Sequence, residues 1–105
     1  MAYRPCWQWA HTMKDMTDFQ LQCESSLVTA LAAIGRRFLD RRVEGQQETC
    51  IRGNVSRTMY EVYIYKNEAR IAGPGIDLRF KAKDCGSPDK LVNNFVQKVM
   101  SLLSR

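Results

Sequence analysis

Tyrosines and cations share one face of two predicted strands in the second half of the chain. Thr58–Tyr65 and Ile76–Ala82 alternate between two residue classes, and successive strand side chains point to opposite faces of a sheet. The outer face of that sheet would carry Tyr63, Tyr65, Arg70, Arg79 and Lys81. Aromatic rings stack on bases for about 1–3 kcal/mol each while cations contact phosphates, so one hypothesis is a surface for single-stranded nucleic acid.

The same face also carries acids, which weakens the nucleic-acid hypothesis. Glu61 and Asp77 occupy outward positions of their strands, as the tyrosines do. Arg52 would also lie on this face if the first strand pairs with the second in the matching register. Mixed charges around tyrosines are also typical of a solvated sheet face, because tyrosine favours strands and cross-strand charge pairs add modest stability. Three interpretations therefore stay open for this face: nucleic-acid binding, protein contact and simple solvation.

Two tryptophans, Trp7 and Trp9, lie one residue apart near the start of the chain. In an extended segment their rings would project to the same side, and large rings are costly to leave in water. They predict either a lid packed on the domain or an anchor for a partner, since tryptophan is enriched among interface hot spots. A lid over Tyr63 and Tyr65 would close the outer face.

A second basic patch follows the first predicted helix. It consists of Arg36, Arg37, Arg41 and Arg42. Cations at a helix C-terminus complement the negative end of the helix dipole, so we expect a structural role, with an acidic partner or phosphate as the alternative.

The residues offer no pattern typical of catalysis, a metal site or a cofactor site. The one histidine, His11, lies in a segment that Pro5 predicts to be irregular, and no nucleophile pairs with it in a recognisable motif. The four cysteines are far apart in sequence, without the close pairs of structural zinc sites. We expect reduced structural thiols, no metal, no cofactor and no enzymatic activity.

The formal net charge of +5 favours polyanionic or acidic partners without choosing between them. No apolar run approaches the roughly 18–20 residues that span a bilayer, and the first residues lack the apolar segment of a secretory signal, so we expect none. A cytoplasmic protein that does not enter membranes is the expectation.

Helices are predicted before and after the strands. Thr17 and Gln20 fit a capping box, and apolar residues recur at three- and four-residue steps, which predicts a helix over 18–41. Ser87 followed by Pro88 predicts the start of a second helix over 88–104.

The sheet is predicted between these helices, over 46–82. Gly53-Asn54 and Lys66-Asn67 suggest turns, and Gly73-Pro74-Gly75 either bends the third strand or separates it from a fourth. The fold class is therefore α+β, in the order α-β-β-β-α, with an antiparallel sheet and two helices packed on its apolar face. One domain over 1–105, with an extended segment at 1–11, accommodates this order.

The order of elements is similar to that of double-stranded RNA-binding domains over roughly 18–103. The likeness is one of topology, because Ser87-Pro88-Asp89-Lys90-Leu91 and Gly53-Asn54-Val55-Ser56 stand where that family carries its lysine-rich and Gly-Pro-x-His motifs. We expect a small binding module that acts through a protein partner or homodimer, in an accessory or inhibitory role, with nucleic-acid binding as the alternative.

Overall fold

The order of elements is a helix, five strands and two further helices. The structure, a computed structural model, describes residues 16–45 and 49–104. The predicted extended segment 1–11 and the predicted beginning of the sheet at 46–48 lie outside the described residues. The elements are α1 Asp18–Ala33, β1 Phe38–Glu44, β2 Cys50–Val55, β3 Glu61–Ile64, β4 Glu68–Gly73, β5 Ile76–Lys81, α2 Ala82–Cys85 and α3 Pro88–Leu103.

Helix α1 begins with the predicted capping box. The Gln20 amide donates to Thr17 Oγ1 at 3.2 Å, and the Thr17 amide donates to Gln20 Oε1 at 2.9 Å. Gln20 is fully buried, and its Nε2 also donates to the carbonyls of Thr49 at 2.8 Å and Ile64 at 3.1 Å. One side chain thus caps α1 and attaches it to the chain beside β2 and to the end of β3.

Helix α1 ends at Ala33, so the prediction that it continues to Arg41 is wrong. Gly35 adopts a φ of 72°, its amide donates to Ala32 O at 3.1 Å, and the Arg36 amide donates to Leu31 O at 2.8 Å. These two bonds form a Schellman motif, which closes a helix at a left-handed glycine. The apolar spacing that continued to Phe38 arises instead from a strand.

That strand, β1, is an unpredicted member of the sheet and pairs with β2. The pairing register shifts between Leu39 and Arg42, where Asp40 has a φ of 54°. Such a bulge inserts extra residues and bends an edge strand. The helix-dipole explanation of the second basic patch is therefore wrong, since no basic residue occupies the last turn of α1.

Gly53-Asn54 lies inside β2, so the prediction of a turn there is also wrong. A Cβ on Gly53 would lie 2.6 Å from Phe38 Cζ and 2.8 Å from the Leu39 carbonyl oxygen. The glycine lets β1 approach closely rather than reversing the chain. The connection to β3 instead spans 56–60 and is closed by a bond from the Val55 amide to Tyr60 O at 3.1 Å.

The other two hairpins follow the predicted turns. Lys66-Asn67 joins β3 to β4, with the Tyr65 amide donating to Glu68 O at 2.8 Å. Pro74-Gly75 joins β4 to β5, where Gly73 pairs with Ile76 and Gly75 has a φ of 74°. The split of the third strand is therefore a hairpin between two separate strands.

All five strands are antiparallel and lie in the order β1-β2-β3-β4-β5. The core lies on one face, where α1 and α3 cover β2–β5; its fully buried members include Leu27, Ile64, Ile71 and Phe95. The apolar face predicted for Thr58–Tyr65 and Ile76–Ala82 is the face that the helices cover, because its residues are buried in this core or packed against it: Tyr60, Val62, Ile64, Ile76, Leu78, Phe80 and Ala82.

The α+β class with helices on one sheet face is thus confirmed. Ser87 caps α3 as predicted, since its Oγ accepts from the Lys90 amide at 3.2 Å. Within 16–45 and 49–104, none of the helices has the length and apolarity needed to cross a bilayer.

Replacing Gln20 with Ala should destabilise the protein by about 2–3 kcal/mol, because both the cap and the donor to two buried carbonyls are lost. Gln22→Ala, in the same helix, is the control. Its exposed side chain donates to Asp89 at 3.3 Å at the surface, so its loss should cost less than about 0.5 kcal/mol. Urea unfolding measures both values, and equal costs would contradict the role of Gln20.

Candidate functional site

Four arginines and one tyrosine form a row across all five strands on the face opposite the helices, which is the outer face. The pairing register aligns Arg42 with Arg52, Arg52 with Tyr63, Tyr63 with Arg70, and Arg70 with Arg79. Directly opposed residues in antiparallel strands share a face, so all five side chains lie on the outer face. We call these five residues the arginine row.

The five residues predicted for this face are brought together as expected. Tyr63, Arg70 and Arg79 lie in the arginine row. Lys81 pairs with Glu68 in the neighbouring row, and Tyr65 lies two residues beyond Tyr63 with its ring stacked at 6.3 Å. Arg52, expected only in one register, adopts that register.

Tyr63 occupies the centre of the arginine row, between two guanidinium groups. The Arg52 Cζ lies 5.1 Å from its ring centroid, and the Arg70 Cζ lies 4.9 Å from it. Both distances are within the range of cation–π attraction, which is worth about 0.5–1 kcal/mol at exposed sites. The neighbouring strands β2 and β4 supply these cations, so the Tyr63 ring is held by its own sheet.

Arg52 is fixed by carboxylates on both sides. Its Nη2 lies 2.8 Å from Glu61 Oε2 and its Nη1 lies 3.3 Å from Glu44 Oε1. The Tyr63 hydroxyl donates to the same Glu61 oxygen at 2.8 Å. The hydrogen bonds from Arg52 and Tyr63 lower the pKa of Glu61, while burial and the bond to Glu61 raise the pKa of Tyr63.

Arg70 and Arg79 are like charges that face each other directly, and each reaches a carboxylate diagonally. Arg70 binds Asp77 through two bonds, Nε to Oδ1 at 2.8 Å and Nη2 to Oδ2 at 2.9 Å. Arg79 lies 3.7 Å from Glu68. These crossed pairs offset the repulsion that two opposed arginines would otherwise experience.

Charges on the outer face nearly balance. Among the described residues, the strand positions of this face carry the cations Arg42, Arg52, Arg70, Arg79 and Lys81 and the carboxylates Glu44, Glu61, Glu68 and Asp77. The carboxylates lie in the two rows that flank the arginine row. The result is a mosaic of paired charges around an aromatic centre, suited to complementary contact rather than to a continuous phosphate track.

The second basic patch does not form one cluster. Arg36 Nη1 donates to Ser56 O at 3.1 Å, and Arg41 forms an ion pair with Glu24 of α1. Arg42 belongs to the arginine row and lies 3.5 Å from Glu44. The side chain of Arg37 is exposed and takes part in none of these three contacts.

Trp7 and Trp9, predicted as a lid or an anchor, lie outside the described residues, as does His11. Three cysteines are described as free thiols: Cys23, Cys50 and Cys85. Burial raises the pKa of Cys23 to about 12 and also raises that of Cys50. Raised pKa values keep both thiols protonated, so neither is activated as a nucleophile.

The sequence did not indicate Arg42 and Glu44 as parts of the outer face, because a helix was predicted to extend to Arg41 and Arg42 was placed directly after its end. Gly35 was the residue that could have ended the helix earlier, as left-handed glycines commonly do. With 38–44 as a strand, the alternation of Arg42 and Glu44 would have continued the outer face.

Comparisons with known proteins give no identity. The chain matches no protein-family model, no curated protein and no solved structure.

We predict that Asp77 titrates below its ordinary pKa of 3.8, chiefly because Arg70 donates hydrogen bonds to its ionised form. Because the pKa of Asp77 is lower in the folded than in the unfolded protein, its ionised form stabilises the fold at pH values above the ordinary pKa. That stabilisation is lost as the pH falls through the pKa of the folded state. In a carboxyl-detected NMR titration, Arg70→Gln should raise the Asp77 midpoint more than Arg79→Gln does. An equal rise in both variants would contradict the geometry of this pair.

Cys23 should react with a thiol reagent only when the protein unfolds. Its pKa of about 12 in the folded state exceeds the ordinary value of 9.0, so stability should fall as pH rises from about 9 towards 12. Site-resolved alkylation at pH 8 measures this protection, with the partly exposed Cys85 as the reference. Labelling of Cys23 as fast as Cys85 would show that the core is open.

Proposed function

We propose that this protein is a small non-enzymatic binding module that acts through protein–protein contact, with the outer face as its contact surface. The observation that carries the proposal is the arginine row, in which Tyr63 is held between Arg52 and Arg70 and these arginines are held by carboxylates. Self-association is the form of contact that the charges on this face favour.

The composition and rigidity of the outer face support protein contact. Tyrosine and arginine are enriched at protein interfaces and among hot spots. The Arg52 and Arg70 side chains are only 29% and 24% exposed, because they lie against the Tyr63 ring. Side chains already ordered in the free protein lose less conformational entropy when a partner binds.

A second copy of the chain complements this face. Cations occupy the central row and carboxylates occupy the rows on both sides, so a two-fold arrangement with a small offset brings opposite charges together. Five strands about 4.8 Å apart and about 20 Å long give a footprint of about 400–500 Å². That is smaller than the roughly 800 Å² per partner of standard interfaces, so we expect weak association, with a Kd of about 10 μM to 1 mM.

Nucleic-acid binding is the second candidate, favoured by the net charge of +5 and by the more exposed Arg42 and Arg79, at 57% and 53%. The position of Tyr63 disfavours it, because Arg52 and Arg70 occupy the space beside the ring where bases would stack. Phosphates would also have to compete with the carboxylates that already bind these arginines.

Free thiols at Cys23 and Cys50 suit a reducing compartment, so the proposal places the protein in the cytoplasm. A module of this kind would serve as an accessory or inhibitory protein that occupies the surface of another macromolecule.

Sedimentation velocity over about 10 μM to 1 mM should reveal reversible self-association. Replacing Tyr63 with Ala should weaken it at least about ten-fold, because the variant removes the aromatic centre and releases both flanking arginines. Val28→Ala, on the exposed side of α1, is the control and should leave the Kd within about two-fold.

A monomer across the whole concentration range would overturn self-association through this face, as would an equal effect of both variants. Fluorescence anisotropy with single-stranded and duplex oligonucleotides tests the second candidate. Binding that falls steeply with salt and is lost in Arg42→Gln and Arg79→Gln would replace the proposal with nucleic-acid recognition.

A further inference from the structure

The side chains of two arginines differ from those of all the other described arginines, because they form no ion pair or hydrogen bond with the described residues. Arg41, Arg42, Arg52, Arg70 and Arg79 form ion pairs, and Arg36 donates to a carbonyl. Within the described residues, neither Arg37 nor Arg57 forms an ion pair or a side-chain hydrogen bond. Both are exposed, so two full positive charges are available.

These two arginines line the same pocket, at the corner of the sheet beyond β1 and β2. The pocket has a volume of about 330 Å³ and is lined by Gly35, Arg37, Leu39, Ser56 and Arg57. Its two walls are the segment that joins α1 to β1 and the loop that joins β2 to β3. The arginines therefore converge from segments about 20 positions apart in sequence, rather than lying side by side on one strand.

Ser56 ties the two walls together. Its Oγ accepts from the Arg37 amide at 2.8 Å, its amide donates to Arg37 O at 2.9 Å, and its carbonyl accepts from Arg36 Nη1 at 3.1 Å. Three bonds at one residue fix the backbones of Arg37 and Arg57 relative to each other. The pocket is thus formed before any ligand arrives.

The backbone at Arg57 is unusual for this residue type. Its φ is 62°, in the left-handed region that glycine and asparagine adopt most readily. The turn is secured by Thr58, whose amide donates to Val55 O at 3.2 Å and whose Oγ1 donates to the same oxygen at 2.8 Å. An arginine kept at such a position, exposed and without an ion pair, fits a functional role for its guanidinium.

We infer that this pocket binds a tetrahedral oxyanion, and specifically the phosphate of a phosphate monoester. Planar guanidinium groups bind phosphate oxygens through paired hydrogen bonds. A phosphate monoester carries a charge of about −1.5 to −2 at pH 7, which matches the two free cations. Leu39, 42% exposed on the pocket wall, offers an apolar contact to the organic part of the ester.

The pocket borders the outer face at Leu39, which pairs with Asn54 next to Glu61, but none of its lining residues belongs to the arginine row. Its occupancy and self-association through the outer face have different readouts. The absence of self-association would not overturn phosphate binding, and the absence of phosphate binding would not overturn self-association.

The test uses the full chain labelled with ¹⁵N and titrated with inorganic phosphate and with phenyl phosphate. Saturable shifts should be centred on 35–39 and 56–57, with phenyl phosphate binding tighter because it also contacts Leu39. Arg57→Gly and Arg37→Gln should each weaken phenyl phosphate binding at least ten-fold. Glycine suits the left-handed position, so Arg57→Gly should fold at least as stably as the wild type, which thermal unfolding checks.

Lys90→Gln is the matched control, since it removes one charge from an exposed position in α3, outside the pocket. It should change affinity by less than two-fold. The proposal would be overturned if neither probe produced saturable shifts up to 50 mM. It would also be overturned if Lys90→Gln weakened phenyl phosphate binding as much as the two arginine variants do. Tighter binding of the monoanion diphenyl phosphate than of phenyl phosphate would overturn the assignment to a monoester.

Discussion

Strand register is the constraint on which the rest of the structure depends. Apolar residues at alternate positions of β2–β5 must face α1 and α3, and a slip by one residue would turn every side chain to the other face. Short hairpins at Lys66-Asn67 and Pro74-Gly75 fix the pairing of β3, β4 and β5. Gln20 holds the chain beside β2 and the end of β3 to the start of α1. The arginine row is a consequence of this register, because it consists of outward residues that the pairing places opposite each other.

Much of the fold was predictable because its determinants are local. The capping box at Thr17, the Ser87 cap and the alternation of the strands each act within a few residues. One wrong prediction, the turn at Gly53, concerns a contact between segments distant in sequence, whereas the other, the length of α1, concerns the local signal of Gly35. Gly53 looks like a turn residue in the sequence, and only its close contact with Phe38 explains why glycine stands inside β2. Phe38 continues the helical spacing of α1, although the left-handed Gly35 has already ended the helix. Most of the outer face followed from parity alone, whereas Arg42 and Glu44 required β1.

The two basic regions of the described chain differ in how their charge is used. On the outer face, carboxylates pair with the arginines and hold them around Tyr63, so the face carries alternating, paired charges. At the corner pocket, Arg37 and Arg57 keep their charge and converge across two loops fastened by Ser56. A formal net charge of +5 therefore describes neither region by itself. Pairing, rather than the number of cations, distinguishes the proposed contact surface from the proposed anion site.

The concentration dependence of ¹H–¹⁵N spectra at physiological salt shows whether the outer face makes protein contacts. Between about 20 μM and 1 mM, the Arg52, Tyr63, Arg70 and Arg79 amides should shift, while the exposed side of α1 remains unchanged. Shifts confined to the helices, or none on β2–β5 at the highest concentration, would contradict contact through this face.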